Sequence, residues 1–364
     1  MWNFIQALLP RKFLGIDIGT SYVKMVEMYR FGHQRKLENY GQISASVFYD
    51  KPFRTFDKNT LSLSNKDVAK AIKAVKEEAG IKTQKVVFSI PDFSTFFTNF
   101  NLPSMTREEL PQAIKYEAKQ YIPLPLSEVT LDWQIIGDKP LANGKKGFKI
   151  LLVAAPNEII SQYQEIAKLS QMELFSLEAE AFSLMRALVG EEEKRPIALI
   201  DIGAQSTTCT IVDKRALKSS HSFDTSGDDF TSMVAQSLSI GFAKAEKIKR
   251  QYGIRPLTVE EGQNVQNIRS ILLPLIDVIL REVQGICNTF YQQEKKEIQK
   301  VIIAGGTALL PGLKEYFEET LNKEVEIANP FTNIFYPPIL EEKLKEMGPG
   351  YSIAVGTALR GLEY

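Results

Sequence analysis

Three mostly apolar runs organise the chain, and each of them ends in a glycine-containing turn. They open the stretches 13–27, 196–213 and 299–315. Short apolar runs that are bounded by turn residues are typical of buried strands. The pattern therefore predicts a buried strand followed by a tight loop at three separate places in the sequence.

The first 92 residues combine strand patterns with one helical pattern. Apolar residues at helical spacing follow Ser64 and Asn65, either of which suits an N-cap. The helical residues are Val68, Ala71, Ile72 and Val75. The predicted elements are three strands within 13–49, the third near 37–47, a polar loop over 50–64, a helix over 66–78 and a strand over 85–90.

Residues 93–172 differ in pattern and are expected to form a separate α+β unit. Thr106 and Glu109 have the spacing of a capping box, which predicts a helix that Pro123 would end. Pro111 lies early in that predicted helix. The other predicted elements of this unit are strands over 129–136 and 148–155 and a helix from 157 to about 170.

The remainder of the chain is predicted to be one more sheet with many helices. A helix is expected over 178–189, and the second half begins at Pro196. Residues 231–289 are predicted to be mostly helical, with a long helix near 270–293. A further helix is expected to begin near Pro311, after the third glycine loop.

The first apolar run carries a carboxylate, Asp17, in its middle. A carboxylate in a buried strand is unfavourable unless a cation or hydrogen bonds compensate for its lost hydration. A Mg²⁺ ion on a nucleotide would supply that cation. The turn Gly19-Thr20-Ser21 follows, and backbone N–H groups at such a turn can close on phosphate oxygens. Lys24 on the next strand would add a positive charge to the same phosphates.

The sequence Ile-Asp-Ile-Gly occurs again in the second half, where it contains Asp201 and Gly203. An Asp in a single hairpin is often only a turn cap, but an internal repeat is stronger evidence of function. The third loop, Gly305-Gly306-Thr307, separates a strand from a helix and would suit adenosine beside a helix N-terminus. We therefore expect Asp17 and Asp201 to hold Mg²⁺ between them, mostly through water.

In this order the three stretches resemble the phosphate-1, phosphate-2 and adenosine motifs of the superfamily of actin, hexokinase and the heat-shock chaperones. The resemblance implies that Glu180 positions an attacking water and that Gly227 faces the γ-phosphate. It also implies that Glu246 and Lys249 contact the ribose and the adenine. The alternatives are a helix N-terminal glutamate at 180 and a surface i,i+3 pair at 246 and 249.

Two further segments, 116–132 and 351–361, resemble the type IV pilus assembly protein PilM family within that superfamily. The resemblance implies an α/β fold, namely an actin-like (ribonuclease H-like) two-lobed ATPase fold with an inserted α+β subdomain. The implied division is a first core subdomain at 1–92 completed by 173–195 and 338–364, the insertion at 93–172, a second core subdomain at 196–222 completed by 290–337, and a helical subdomain at 223–289.

The resemblance also implies a function. The protein is expected to bind ATP and Mg²⁺, to hydrolyse ATP slowly or not measurably, and to act in the cytoplasm as a scaffold of a type IV pilus inner-membrane platform. The expected partners are the N-terminal cytoplasmic tail of a PilN-like membrane protein and other platform proteins, which would provide its only contact with the membrane. The tail is expected to lie between the first core subdomain and the insertion.

Two other functions compete with this prediction. A division protein similar to FtsA would polymerise and attach to the membrane through a C-terminal amphipathic helix, and the ending directly after the 351–361 motif disfavours it. A sugar or acetate kinase would need a sugar-recognition segment with a catalytic Asp, and the sequence shows no recognisable one.

Composition excludes further classes. Lys and Arg number 44, as do Asp and Glu, so no basic excess attracts nucleic acid or anionic lipid. Cys209 and Cys287 lie in apolar surroundings and predict buried thiols in a reducing compartment, and two histidines are too few for a His-based zinc site. No apolar run is long enough to cross a bilayer. The apolar segment 1–10 is expected to dock on its own domain or, alternatively, to lie on a membrane surface.

Overall fold

The computed structural model describes residues 10–48, 51–56, 60–140, 146–255 and 263–363. Residues 1–9 of the apolar segment at the N-terminus lie outside these residues, as do residues 141–145 between the strands predicted over 129–136 and 148–155. The strands are β1 (Arg11–Ile18), β2 (Tyr22–Phe31), β3 (Gln34–Ser44), β4 (Arg54–Thr55), β5 (Thr60–Leu61), β6 (Lys85–Ile90), β7 (Phe96–Leu102), β8 (Val129–Pro140), β9 (Lys146–Pro156), β10 (Glu173–Ala179), β11 (Ile197–Ile202), β12 (Thr207–Asp213), β13 (Ala216–Phe223), β14 (Lys300–Ala304) and β15 (Glu324–Ile327).

The helices are α1 (Asn65–Glu78), α2 (Leu110–Ala118), α3 (Asn157–Leu169), α4 (Glu180–Leu188), α5 (Gly227–Leu238), α6 (Phe242–Tyr252), α7 (Gln263–Glu294), α8 (Leu313–Leu321) and α9 (Glu341–Leu362). Among the described residues, no helix combines the length and apolar character that a membrane crossing requires.

The fold contains two five-stranded sheets that have the same topology. Their strand orders are β3-β2-β1-β6-β10 and β13-β12-β11-β14-β15. In each sheet the central strand pairs antiparallel with the next strand of the chain and parallel with a later strand. The repeat of Ile-Asp-Ile-Gly in the sequence therefore reflects two equivalent central strands, β1 and β11. The two-lobed α/β architecture predicted from the sequence is confirmed.

The first sheet is covered on both faces. Side chains alternate along β1, as strand geometry requires. Leu14, Ile16 and Ile18 pack with α1 and α3, whereas Phe13 packs with α9. Gly15 lies against α9 so closely that a Cβ atom there would come within 2.2 Å of the Ala354 carbonyl oxygen. This close approach places the C-terminal helix directly under the central strand.

The second sheet shares one continuous core with the helices around it. Residues of β11, β12 and β14 pack in the same buried cluster as residues of α5, α6, α7 and α8. The long helix predicted near 270–293 is confirmed as α7, which contains Pro274 in its interior. The helix expected near Pro311 is confirmed as α8.

The inserted unit is a three-stranded sheet in the order β7-β9-β8, packed against α2. Strand β7 was not predicted, because its apolar residues do not alternate strictly with its polar ones. Helix α2 begins at Leu110 rather than at the capping-box residues, although the Thr106 amide does donate to the Glu109 carboxylate at 2.8 Å. Pro111 lies in its first turn, where a missing N–H costs no hydrogen bond.

Helix α3 follows the insertion in the chain but packs elsewhere. Its buried residues Ile159, Tyr163 and Ile166 belong to the core of the first sheet. This packing favours an insertion that ends near Pro156 rather than at 172. The domain boundaries derived from the sequence otherwise stay predictions.

The insertion also contacts the second lobe. The Asn99 side chain donates to the Lys218 carbonyl at 2.9 Å, and Lys218 Nζ donates to the Ile136 carbonyl at 3.1 Å. Lys149 forms an ion pair with Glu294 of α7. A cavity of about 220 Å³ lies between these elements.

Two further predictions of element positions were wrong. The segment 50–64 is not simply a polar loop, because β4 and β5 pair within it and Phe53 is fully buried. The helix expected from 178 begins at Glu180, since Glu178 and Ala179 still pair with β6 as part of β10. In both cases the strand pairing was not apparent from the local sequence pattern.

Candidate functional site

The central strands β1 and β11 end in matching turns. The Gly19 amide donates to the Tyr22 carbonyl at 2.9 Å, and the Gly203 amide donates to the Ser206 carbonyl at 2.9 Å. A Cβ atom on Gly19 would lie 3.1 Å from the Tyr22 carbonyl oxygen, and a Cβ atom on Gly203 would lie 3.0 Å from the Ser206 carbonyl oxygen. The two copies of the motif therefore fold alike and place their aspartates at equivalent positions, two residues before each glycine.

The first turn is fixed by its neighbours. The Thr20 carbonyl accepts from the Phe53 amide at 2.8 Å, and the Ser21 carbonyl accepts from the Ala45 amide at 2.9 Å. Asp17 is 4% exposed and accepts from the Ser89 hydroxyl of β6 at 3.2 Å. The predicted phosphate-1 residues thus lie together on a well-supported turn.

Asp17 and Asp201 come from different lobes and act on one another electrostatically. Burial raises the pKa of Asp201 to about 6; the positive charge of Lys24 opposes this rise and the negative charge of Asp17 adds to it. These two aspartates and Lys24 are therefore close enough to act on one another, and their role in holding Mg²⁺ stays a prediction.

Lys24 and the third glycine loop both meet α9. Lys24 Nζ donates to the Gly350 carbonyl and lies 5.9 Å from the centre of the Tyr351 ring. The Gly305 amide donates to the Pro349 carbonyl at 2.9 Å. Residues of both lobes are consequently joined through one segment of the C-terminal helix.

In the second lobe, the backbone segments at Gly203, Gly227 and Gly305 are closely packed. Gly305 has φ +90°, and a Cβ atom there would lie 2.5 Å from Asp201 Oδ1. A Cβ atom on Gly227 would lie 2.5 Å from Thr307 Oγ1 and 3.1 Å from the Gly203 carbonyl oxygen. Larger residues would not fit at these positions. Gly306, next in the loop, lies close to Gly350 of α9.

Ser226 precedes this cluster as the N-cap of α5. Its amide donates to the Asp229 carboxylate at 2.8 Å, which completes a capping box. Ser226 therefore has a local structural role at the start of α5.

Lys249 and Glu246 form a buried network rather than an exposed pair. Lys249 is 4% exposed, and its Nζ donates to the Gly227 carbonyl at 2.9 Å and to Thr231 Oγ1 at 2.8 Å. It also lies 2.6 Å from Glu246, which pairs with Arg250. Burial lowers the pKa of Lys249, and the charge of Glu246 opposes that effect. The network ties α6 to the Gly227 loop, and a contact with ribose or adenine stays a prediction.

Glu180 begins α4 and lies beside a residue that sequence analysis missed. Glu180 Oε2 accepts from the Asp92 amide at 3.3 Å. Asp92 Oδ1 accepts from the Ala181 amide at 3.1 Å, and its Oδ2 accepts from the Ser220 hydroxyl of the second lobe at 2.9 Å. Asp92 therefore links the end of β6, the start of α4 and strand β13. The available signal was its position just after the apolar strand β6.

The four carboxylates form one electrostatic group. Burial raises the pKa of Glu180 well above its usual range; the charge of Asp17 adds to this rise and the charge of Arg54 opposes it. Burial also raises the pKa of Asp92 to about 7, and the hydrogen bonds from Ala181 and Ser220 limit that rise. Carboxylates that repel each other in a buried site favour the binding of a cation.

This arrangement fits a hydrated Mg²⁺ ion bound to a nucleotide. Among the described residues, no group of three or more His, Cys, Asp or Glu side chains is arranged to hold a metal ion. Mg²⁺ usually keeps several waters and takes one or two carboxylates together with phosphate oxygens, so two aspartates from opposite lobes would suffice. The turns at Gly19 and Gly203 contribute closely packed backbone from the first and the second lobe.

Comparisons with known proteins agree with this geometry. The sequence model of one family, described as type IV pilus assembly protein PilM, matches residues 15–362. A solved structure titled "PilM-PilN type IV pilus biogenesis complex" superposes with a TM-score of 0.82, at 25% identity, over 97% of this chain and 99% of that chain.

More distant similarities show the wider fold. The cell division protein FtsA of Staphylococcus epidermidis is 20% identical over 351 residues, which cover 87% of this chain and 74% of FtsA. The structure of MreB5 of Spiroplasma citri bound to ADP has a TM-score of 0.53 at 14% identity, over 96% of this chain and 95% of that chain.

The substitution Asp92→Asn tests the buried state of Asp92. The usual pKa of an aspartate is 3.8 and that of Asp92 in the folded protein is about 7, so the folded state holds this proton more tightly. The resulting stability is fully present below pH 3.8 and is lost as the pH rises through 7. Between pH 6 and pH 8, we expect the wild type to lose about 1 kcal/mol more than Asp92→Asn, which is a Tm difference of roughly 2 °C.

Thermal unfolding of the ligand-free protein at several pH values measures this difference. Asp132→Asn is the matched control, because Asp132 is exposed on β8. The control should follow the wild type. Equal pH dependence of the wild type and Asp92→Asn would contradict the assignment.

Proposed function

The chain belongs to the type IV pilus assembly protein PilM family, and we propose that it is an actin-like scaffold of a type IV pilus inner-membrane platform. It binds Mg²⁺ and ATP between its lobes and binds the N-terminal cytoplasmic tail of a PilN-like membrane protein. The observation that carries the nucleotide part is the convergence of Asp17 and Asp201 from equivalent turns of two duplicated lobes. The partner part rests on the similarity to the PilM-PilN complex.

In the proposed complex, Asp17 and Asp201 hold Mg²⁺ mainly through water. The turns at Gly19-Thr20-Ser21 and Gly203 lie against the phosphates, and Lys24 adds a positive charge. When bound, Mg²⁺ supplies neutralising charge for the phosphates and for the carboxylates around them. These roles agree with the close backbone at both turns and with the mutual repulsion of the aspartates.

The adenosine half would be formed by the second lobe. Gly305, Gly306 and Thr307 would close on the nucleoside, and Gly227 would face the phosphates. Glu246 and Lys249 would contact the ribose and adenine. The crowding of Gly227 against Thr307 and of Gly305 against Asp201 supports one compact site for these groups.

Hydrolysis is proposed to be slow. A group that orients an attacking water serves best as a carboxylate. Glu180 is the candidate for this role, but burial raises its pKa well above the usual range. Its carboxyl group therefore favours the protonated form when no cation is bound. The slow rate is therefore proposed from the resemblance to the PilM family, because the raised pKa of Glu180 describes the protein without a bound cation.

Nucleotide binding would affect the partner through the relative position of the lobes. Asp92 and Gly305 each make a contact that joins one lobe to the other. The insertion contacts the second lobe through Lys218 and Asn99, so a change in lobe closure would also move the insertion. A nucleotide can control the partner in this way only if the two states differ in affinity for it. The tail is proposed to lie between the first core subdomain and the insertion.

The location and the alternative function follow from the same proposal. The protein would be cytoplasmic and peripheral to the inner membrane through its partners. An FtsA-like polymerising protein is the alternative, and the 20% identity to FtsA supports it less than the family match does.

The substitution Asp17→Asn tests the Mg²⁺-nucleotide site. An amide cannot balance the charge of the cation, so we expect the affinity for Mg·ATP to fall by well over tenfold. Titration with a fluorescent ATP analogue in Mg²⁺ measures this change. Asp132→Asn should bind like the wild type, and unchanged affinity in Asp17→Asn would reject the site.

A pull-down with synthetic tail peptides tests the partner. Peptides that represent the cytoplasmic N-terminus of a PilN-like protein should retain the protein, and Mg·ATP should change the retained amount at least threefold. A scrambled peptide is the control. Retention by neither peptide, together with sedimentation of Mg·ATP-dependent polymers, would favour the FtsA-like alternative.

A further inference from the structure

Arg54 is a buried cation with unused hydrogen-bond donors. It lies in β4 and is 2% exposed. Its Nη2 donates to the Tyr163 hydroxyl, and its guanidinium carbon lies 6.0 Å from the Phe93 ring centre and 5.9 Å from that of Tyr163. Nε and Nη1 are both buried without a hydrogen-bond partner among the described residues. Buried donors are normally paired, so these two nitrogen atoms point to a ligand.

The position of Arg54 connects it to the nucleotide site. The preceding residue, Phe53, donates its amide to the Thr20 carbonyl at 2.8 Å, which fixes this segment to the first phosphate turn. On the other side, the charge of Arg54 acts on Glu180, where it opposes the effects of burial and of Asp17 on the pKa. Arg54 is therefore close to both the turn and the carboxylate at the start of α4.

A purely structural role explains only part of this arrangement. The two aromatic rings and the Tyr163 hydroxyl account for one face and one nitrogen of the guanidinium. A counter-charge for Glu180 would be expected to form a hydrogen-bonded pair, but Nε and Nη1 form none. Lys24, which also acts on these carboxylates, already donates to Gly350.

The chemistry of the two open donors identifies the ligand class. A guanidinium presents its N–H groups as a planar fork that matches two oxygens of a phosphate. A carboxylate ligand would be repelled by the four acidic side chains unless a cation accompanied it, whereas a nucleotide phosphate arrives with Mg²⁺. The end of the nucleotide nearest Glu180 would be its terminal phosphate, since Glu180 is the candidate for positioning the attacking water.

We propose that Arg54 binds the terminal phosphoryl group of a nucleoside triphosphate through its positive charge and the open N–H groups of Nη1, and so gives the protein a preference for the triphosphate over the diphosphate. This inference rests on the proposed function, because it requires a nucleotide between the lobes. Tyr163 belongs to α3, which directly follows strand β9 of the insertion. The contact therefore links the terminal phosphate to the base of the insertion.

The substitution Arg54→Gln tests this role in the full-length protein. It removes the charge and the guanidinium fork but keeps a polar side chain. We expect the affinity for Mg·ATP to fall at least tenfold and the affinity for Mg·ADP to change less than threefold, as measured by isothermal titration calorimetry. Arg54→Lys, which keeps the charge without the fork, should recover part of the loss.

Arg30→Gln is the matched control. Arg30 also has a buried Nε without a partner among the described residues, but it lies at the far end of β2 from Lys24. Its ratio of ATP to ADP affinity should equal that of the wild type. An unchanged ratio in Arg54→Gln, with both affinities retained or both reduced by the same factor, would overturn the proposal. A wild type that binds neither nucleotide would overturn the proposed function itself.

Tyr163→Phe provides a second test if Arg54→Gln does not fold. It keeps the aromatic ring and Arg54 but removes the hydroxyl that accepts from Nη2. The freed guanidinium should be less well positioned, so the ratio of ATP to ADP affinity should fall about threefold. A folded Tyr163→Phe protein with the wild-type ratio would contradict the role of Arg54.

Discussion

The mutual repulsion of four clustered acidic side chains is the constraint on which the structure depends. Asp17, Asp92, Glu180 and Asp201 come from both lobes, and their negative charges add to the effect of burial in raising the pKa values of Asp92, Glu180 and Asp201. A fold gains no stability from such a group unless something positive joins it. This arrangement is consistent with the proposed site for a cation and its ligand.

The duplicated sheets explain how the carboxylates meet. Each central strand ends in a glycine turn with the same backbone hydrogen bond, so two copies of one local structure face each other. Glycine is required where backbones approach closely, as at Gly305 beside Asp201 and at Gly15 beneath α9. The polar contacts that join the lobes include those of Asp92 with Ser220 and of Gly305 with Pro349. The contact of Asp92 is suited to respond to the charge of a bound ligand.

Local pattern predicted much of the fold and part of the site. Helix α1 was predicted nearly to the residue, because its burial follows the helical period and Ser64 caps it. Strand β6 was predicted equally well, because it is a short buried run that Pro91 ends. The Asp17 and Asp201 turns were found because they repeat. Asp92 and Arg54 were not found, since neither belongs to a repeated motif. Their roles depend on approaches between segments far apart in the chain, namely Asp92 with Ser220 and Arg54 with Tyr163.

The central claim is that binding of Mg²⁺-nucleotide between the lobes converts protonated carboxyl groups into carboxylates. Calorimetric titration of Mg·ATP at pH 6.5, in buffers of different ionisation enthalpy, counts the protons released on binding. Because the pKa values of Asp92 and Asp201 are raised to about 7 and about 6, we predict a net release of protons. Binding with no proton release, or with proton uptake, would contradict the account.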